Sequence, residues 1–223
     1  MAYFFKFPFA IVLLLLILAA GFVGGPQNPL EHHTMTRMAE LRSDWPNLTA
    51  AVAGLTTLGG AYATLGLASA ASLWLLLRRA SARALLLALT VLLERLLVDG
   101  LKEWIGRPRP GIQLDWFTSS LAFPSGHAAN SMTAFLATAL IAAPPHLRRT
   151  TAFAAVALSV LVGLTRIYLG VHWPSDVIGG WSLGLLCVGS AVAIGERSAA
   201  LRFEPQHEIV GRHRSAISED ETA

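Results

Sequence analysis

Six apolar runs, most of them close to the roughly 20 residues a helix needs to cross a bilayer, must be housed before anything else in this chain can fold. They cover residues 3–23, 48–77, 84–104, 125–143, 151–169 and 174–194. The composition follows from them: of 223 residues, 54% are apolar and only 14% charged, and the mean hydropathy is +0.54. An average soluble domain carries far more charge. A backbone in lipid must satisfy its own hydrogen bonds, so the chain reads as all-α, a polytopic membrane bundle of six transmembrane helices.

The first run is broken only by Lys6 and Pro8. A cleaved signal peptide is the rival reading, but signal cores are usually shorter, which favours a retained span. The polar connection 27–47 places Thr34, Met38, Leu41 and Trp45 at helical spacing, with Arg37, Glu40, Arg42 and Asp44 on other faces. That pattern predicts a short amphipathic helix on the membrane surface, in the first outer loop. His32 and His33 are adjacent, a spacing unsuited to metal ligands, and read as solvated loop residues. Gly54, Gly59, Gly60 and Gly66 in the second run read as packing positions between helices. Glu94, Arg95 and Asp99 lie at membrane depth in the third, as either a structural Arg95–Asp99 pair or a support for a site. The single Cys187 can form no internal disulfide. One domain, residues 1–195, is expected, followed by a polar tail over 196–223 with the composition of a disordered cytoplasmic segment.

A net charge of +3 and a pI near 9.5 do not signal nucleic acid. The basic residues come in pairs at the ends of runs, Arg78-Arg79 and Arg148-Arg149 among them, and form no stripe. Positive residues collect on the cytoplasmic side, so these pairs put both termini in the cytoplasm. The opposite ends of the helices then open outward.

Three polar islands lie at those outward ends: Lys102 to Pro110, Pro124-Ser125-Gly126-His127, and Thr165 to Asp176. Together they supply two histidines, Lys102, Arg107, Arg109, Arg166 and the carboxylate of Asp176. Ser125 immediately precedes a helical run and is a good N-cap, which leaves the N–H groups of Gly126 and His127 free to meet an anion. Gly170 ends the fifth helix and Pro174 suits the first turn of the sixth, so His172 falls in the connection and Asp176 in the following first turn. From there Asp176 can orient the imidazole and stabilise the cation formed when its other nitrogen attacks phosphorus. Arg109 and Arg166 offer planar forks to phosphate oxygens, and Lys102 a mobile point charge. With no carboxylate cluster among the islands, no metal site is expected and charge stabilisation falls to cations and backbone donors.

Lys102 with Arg109-Pro110 seven residues on, then Pro124-Ser125-Gly126-His127, then Arg166, His172 and Asp176 resemble the three-part signature of the type 2 phosphatidic acid phosphatase superfamily. The resemblance spans roughly residues 50–195. It implies a six-span fold, His172 as nucleophile, Asp176 as its partner, and His127 as the acid that protonates the leaving oxygen. Lys102, Arg109, Ser125, Gly126 and Arg166 would hold the phosphate, and no cofactor is implied. One position departs: Thr165 stands where the family usually has Ser, keeping the hydroxyl.

Three functions stay open at this point. The first is a metal-independent phosphatase acting on a lipid phosphate or diphosphate through a phosphohistidine. The resemblance to small bacterial-type members points to undecaprenyl diphosphate, phosphatidylglycerol phosphate or phosphatidic acid, and to a bacterial inner membrane with the site on the periplasmic side. The second is a lipid phosphotransferase using an alcohol acceptor, and the third a transporter or scaffold, which leaves the two histidines and the cations unexplained. Expected partners are the lipid substrate and membrane lipids, not nucleic acid; oligomeric state is open.

Overall fold

The computed structural model describes residues 7–110 and 121–198. The described residues form eight α-helices: α1 (Phe7–Val23), α2 (Pro29–Asp44), α3 (Pro46–Thr56), α4 (Ala61–Leu77), α5 (Ser81–Ile105), α6 (Gly126–Ala137), α7 (Arg148–Tyr168) and α8 (Pro174–Arg197). A single 3-10 turn, Thr57–Gly59, joins α3 to α4, and a π-turn, Thr138–Ala142, extends α6. The tail expected over 196–223 lies almost wholly outside the described residues.

By length and apolarity α7 and α8 can each cross a membrane, and α3 with α4, bent by 41° where they meet, are long and apolar enough together to be either a broken span or a re-entrant loop. The other runs fall short of that standard for identifiable reasons. The 25 residues of α5 include Glu94, Arg95, Asp99 and Lys102, while α1 and α6 are only 17 and 12 residues long. Outside the bundle, Leu15, Leu93, Leu96, Phe153 and Leu161 are each exposed over half their surface or more. A surface of that kind is stable against acyl chains and not against water.

Helix α6 is the centre of the bundle, packed against α4, α5, α7 and α8. Its side chains explain the position: Ala128, Ala129, Ser131, Thr133, Ala134 and Ala137 are small and almost fully buried. Helix α8 meets it through glycines one turn apart. A Cβ at Gly180 would lie 2.6 Å from the Ser125 carbonyl oxygen, and one at Gly184 would lie 2.8 Å from Met132 Cβ. Small residues let the two backbones close up, the usual device where lipid supplies no hydrophobic drive between helices.

Several expectations need amending. The second apolar run is not one helix, since Gly60 is extended (φ −69°, ψ 165°) and separates α3 from α4. Of the glycines read as packing positions, Gly59 fits, with a Cβ only 2.4 Å from Val162 Cγ1, whereas Gly54 and Gly66 face open space. Arg95 turns to Thr64, donating to Oγ1 at 2.6 Å, instead of pairing with Asp99. A helix does form in the first connection, α2, capped by Asn28, whose side chain accepts from the Leu30 and Glu31 N–H groups, but it is not the amphipathic helix expected: its one buried residue is Glu31, while Leu30 and Leu41 are exposed. His32 is on that helix and not in a loop, its ring edge-on to Trp173 at 5.1 Å.

Candidate active site

Helices α5 and α7 end, and α6 and α8 begin, around the three polar islands. Gly106 closes α5 in the left-handed conformation (φ 63°) and turns the chain into an extended piece, where Pro108 bridges to Leu121 and Ala122 N–H bonds the Arg107 carbonyl at 2.7 Å. That piece is fastened to the α7–α8 connection by Trp173, whose Nε1–H donates to the Pro108 carbonyl at 2.9 Å. Arg109 is thereby delivered to His172. Its Nη1 donates to the Val171 carbonyl at 2.9 Å and lies 3.2 Å from His172 Nε2.

The protonation pattern follows from donor logic. Arginine can only donate, so Nε2 presents its lone pair and the ring proton sits on Nδ1. Nδ1 faces Asp176 Oδ2 at 3.5 Å, longer than a hydrogen bond. Oδ2 is engaged by the Trp173 N–H at 2.8 Å, and Oδ1 by Arg107 Nη1 at 2.7 Å. The expected hydrogen bond from His172 to this carboxylate is not made: Nδ1 has no hydrogen-bond partner among the described residues, and Asp176 is held beside it by the helix cap and Arg107. His172 is 1% exposed. Burial above all, then the charges of Arg109, Arg166 and Lys102, hold it well below the ordinary histidine range. A neutral imidazole with its lone pair turned toward a guanidinium is poised to attack an electrophile that the guanidinium holds.

Across from it, Ser125 begins α6. The first intrahelical bond is from Ala129 N–H to the Ser125 carbonyl at 3.0 Å, so the N–H groups of Gly126, His127 and Ala128 precede the ladder. Ser125 stands at the N-cap position, but its hydroxyl makes no cap bond and is buried without a partner among the described residues. The half-buried His127 sits close enough to Arg166, Arg109 and Lys102 to feel their three charges, with the His172 ring also near it. Lys102 Nζ donates to the Leu121 carbonyl at 3.3 Å, and Arg166 Nη1 to Thr56 Oγ1 at 3.0 Å. Thr165 turns its hydroxyl back to the Val162 carbonyl at 2.5 Å, which leaves Arg166 to represent the third island beside His172.

Two charged groups at this site have no role assigned from the sequence: Arg107, counted only among the cations of its island, and Glu31. Arg107 is 5% exposed and donates to Ser175 Oγ, Asp176 Oδ1 and the Ala20 and Gly21 carbonyls, its guanidinium 4.8 Å from the Phe123 ring centre. Its place in the Arg-Pro-Arg-Pro string beside Arg109 was the available signal. Glu31 is 7% exposed and accepts from Gly25 N–H, Ser175 N–H and Ser175 Oγ–H. It stands at the third position after the Asn28 cap, and no spacing in the sequence ties it to Ser175.

A cluster of cations, two histidines and a helix N-terminus can together bind a phosphate group and stabilise charge that develops on it. Residues 83–199 match the family model described as the PAP2 superfamily. The chain belongs to that superfamily. Phosphatidylglycerophosphatase B of Bacillus subtilis strain 168 is 34% identical over 184 residues, covering 80% of this chain and 90% of that protein. A lipid A 1-phosphatase of Rhizobium johnstonii is 37% identical over 43% of this chain and 41% of its own length. Among solved structures, the transmembrane PAP2-type phosphatidylglycerolphosphate phosphatase from Bacillus subtilis superposes with a TM-score of 0.77 at 30% identity, over 86% of this chain and 98% of that one.

Proposed function

We propose that this membrane lipid phosphatase of the PAP2 type removes the terminal phosphate of phosphatidylglycerol phosphate, without a metal, through a phosphohistidine on His172. The observation that carries the mechanism is the lone pair of His172 Nε2, directed at Arg109 Nη1 3.2 Å away while Asp176 backs the opposite nitrogen. The substrate choice rests on the relative matched along 90% of its length.

Arg109, Arg166, Lys102, Ser125 and the N–H groups of Gly126 and His127 hold the three phosphoryl oxygens. Nε2 attacks phosphorus as the bond to the lipid oxygen breaks, and His127 gives that oxygen its proton. The ring, carrying phosphate on Nε2 and hydrogen on Nδ1, becomes a cation that Asp176 stabilises. Water then attacks the phosphohistidine, His127 takes its proton back, and inorganic phosphate leaves with His172 neutral again. Because developing charge meets fixed cations and helix N–H groups, no divalent ion is needed for it.

The reading places six crossings in a bacterial inner membrane: α1, the bent α3–α4 pair, α5, α6 with its π-turn, α7 and α8. Residues 1–195 form the enzyme and 196–223 a cytoplasmic tail. The site and α2 face the periplasm, where α2 lies on the membrane surface. The test is phosphate release by purified protein from phosphatidylglycerol phosphate, phosphatidic acid and undecaprenyl diphosphate, with an alkaline quench to preserve phosphohistidine. Label on the wild type and none on His172→Ala is expected, with fastest release from phosphatidylglycerol phosphate. Full turnover by His172→Ala overturns the mechanism, a preference for another lipid overturns the substrate, and transfer to an alcohol in place of release would make the protein a phosphotransferase.

A further inference from the structure

The family model begins at residue 83, yet helix α2 touches the His172 connection at both ends. At its C-terminal end Arg42 donates to the Tyr168 carbonyl and lies against Gly170, which has φ 72°. At the N-terminal end Glu31 enters the first turn of α8. Its Oε1 accepts from Ser175 N–H at 2.9 Å, and its Oε2 from Ser175 Oγ–H at 3.0 Å and Gly25 N–H at 2.6 Å. Ser175 Oγ in turn accepts from Arg107 Nη1 at 2.8 Å, and the same nitrogen donates to Asp176 Oδ1 at 2.7 Å.

These bonds form one chain of donors and acceptors with Glu31 at one end and the partner of His172 at the other. We propose that Glu31 is a positioning residue for the phosphoryl-transfer step, setting Asp176 behind His172 through Ser175 and Arg107. The inference rests on His172 and Asp176 having the roles given above.

The chemistry of the site requires a carboxylate. Three donors converge on Glu31, and a carboxylate can accept from all of them. A glutamine fits only by turning its NH2 group against at least one of these donors. The negative charge also polarises Ser175 toward Glu31, which strengthens its oxygen as an acceptor for Arg107. Arg107 has further anchors in the Ala20 and Gly21 carbonyls at the end of α1. With those fixed, release of Ser175 frees the α8 first turn, and with it the Asp176 carboxylate, to move relative to His172. Reactions that depend on aligned groups lose rate steeply with small displacements.

The experiment uses full-length protein in detergent with dioctanoyl phosphatidylglycerol phosphate, and measures kcat and KM for Glu31→Gln, Asp176→Asn and the double variant on monodisperse fractions. Expected are a fall of about tenfold or more in kcat for Glu31→Gln with KM within about twofold, and a further loss below about twofold when it is added to Asp176→Asn. Unchanged kcat with only a lowered melting temperature would make Glu31 a structural staple and overturn the proposal. So would a full tenfold loss repeated in the Asp176→Asn background, since Glu31 would then act elsewhere. If Glu31→Gln is not monodisperse, Ser175→Ala decides: a loss of about threefold in kcat that vanishes beside Asp176→Asn supports the chain, and unchanged kcat overturns it. His172→Ala is run in parallel. Activity there removes the underlying reading, whereas an inactive His172→Ala with fully active Glu31→Gln removes only this inference.

Discussion

His172 and His127 are set apart by their surroundings, and those surroundings make separable predictions. His172 is buried among cations in the connection between α7 and α8, so it should stay neutral, with its proton on Nδ1, well below the ordinary histidine pKa of about 6.5. Imidazole 15N shifts of ligand-free protein should be those of the neutral ring at pH 5.5, and a midpoint near 6.5 would contradict the burial argument. Removing a positive neighbour favours the charged ring, so Arg109→Met should move the midpoint upward. The acid role of His127 is tested by leaving groups. His127→Ala should be much less impaired on nitrophenyl phosphate, whose leaving oxygen needs little protonation, than on a lipid phosphate. Equal losses on both would remove His127 from that role. The histidines, Arg109 and Asp176 were legible because their chemistry is tied to short spacings at helix ends. Arg107 and Glu31 were not, because each makes its decisive contact with residues far along the chain: Arg107 reaches Ser175, 68 positions away, and Glu31 reaches the same residue across 144.

At the scale of helices, the contact of α6 with α8 keeps in place the helix end proposed to bind the phosphate. Gly180 is the tightest point: a Cβ there meets the Ser125 carbonyl, which is backbone and cannot swing away. Gly180→Ala should therefore cost about 1–3 kcal/mol through overpacking and push the start of α6 off its position. Thermal unfolding in detergent should show the destabilisation, and KM for lipid phosphate should rise in the folded fraction. A stable variant with unaltered kinetics would mean that α8 can retreat from α6 without disturbing Ser125. Periodicity located the helices within a few residues, α8 beginning at Pro174 as expected. It did not locate the break between α3 and α4. Both sides of Gly59-Gly60 are apolar, and the bend answers to Val162 and His127 on other helices.

For the molecule as a whole, chain direction alone puts the starts of α6 and α8 and the ends of α5 and α7 at one end of the bundle. Arg83 and Arg148 lie together at the other, close enough to repel. The positive-inside tendency predicts that this other end is cytoplasmic. In a background lacking Cys187, single cysteines at Ser81 and Thr150 should react with an impermeant maleimide only after permeabilisation, whereas one at Glu40 on α2 should react in intact cells. The reverse pattern would turn the site toward the cytoplasm.

Membrane residence, helical class and the three islands that hold the proposed reacting groups are properties of the sequence by itself. Each rests on local chemistry: the cost of exposing apolar runs to water, the need to satisfy backbone groups in lipid, and the affinity of helix ends and arginines for anions. Which carboxylate supports which cation was decided only in the tertiary structure. Asp176 leans on Arg107 and the Trp173 N–H, Ser175 on Glu31, and Arg166 on Thr56. The physical reason is that a buried polar group must find partners wherever packing brings them. In a bundle held by small residues such as Gly180 and Gly184, packing brings them from distant helices.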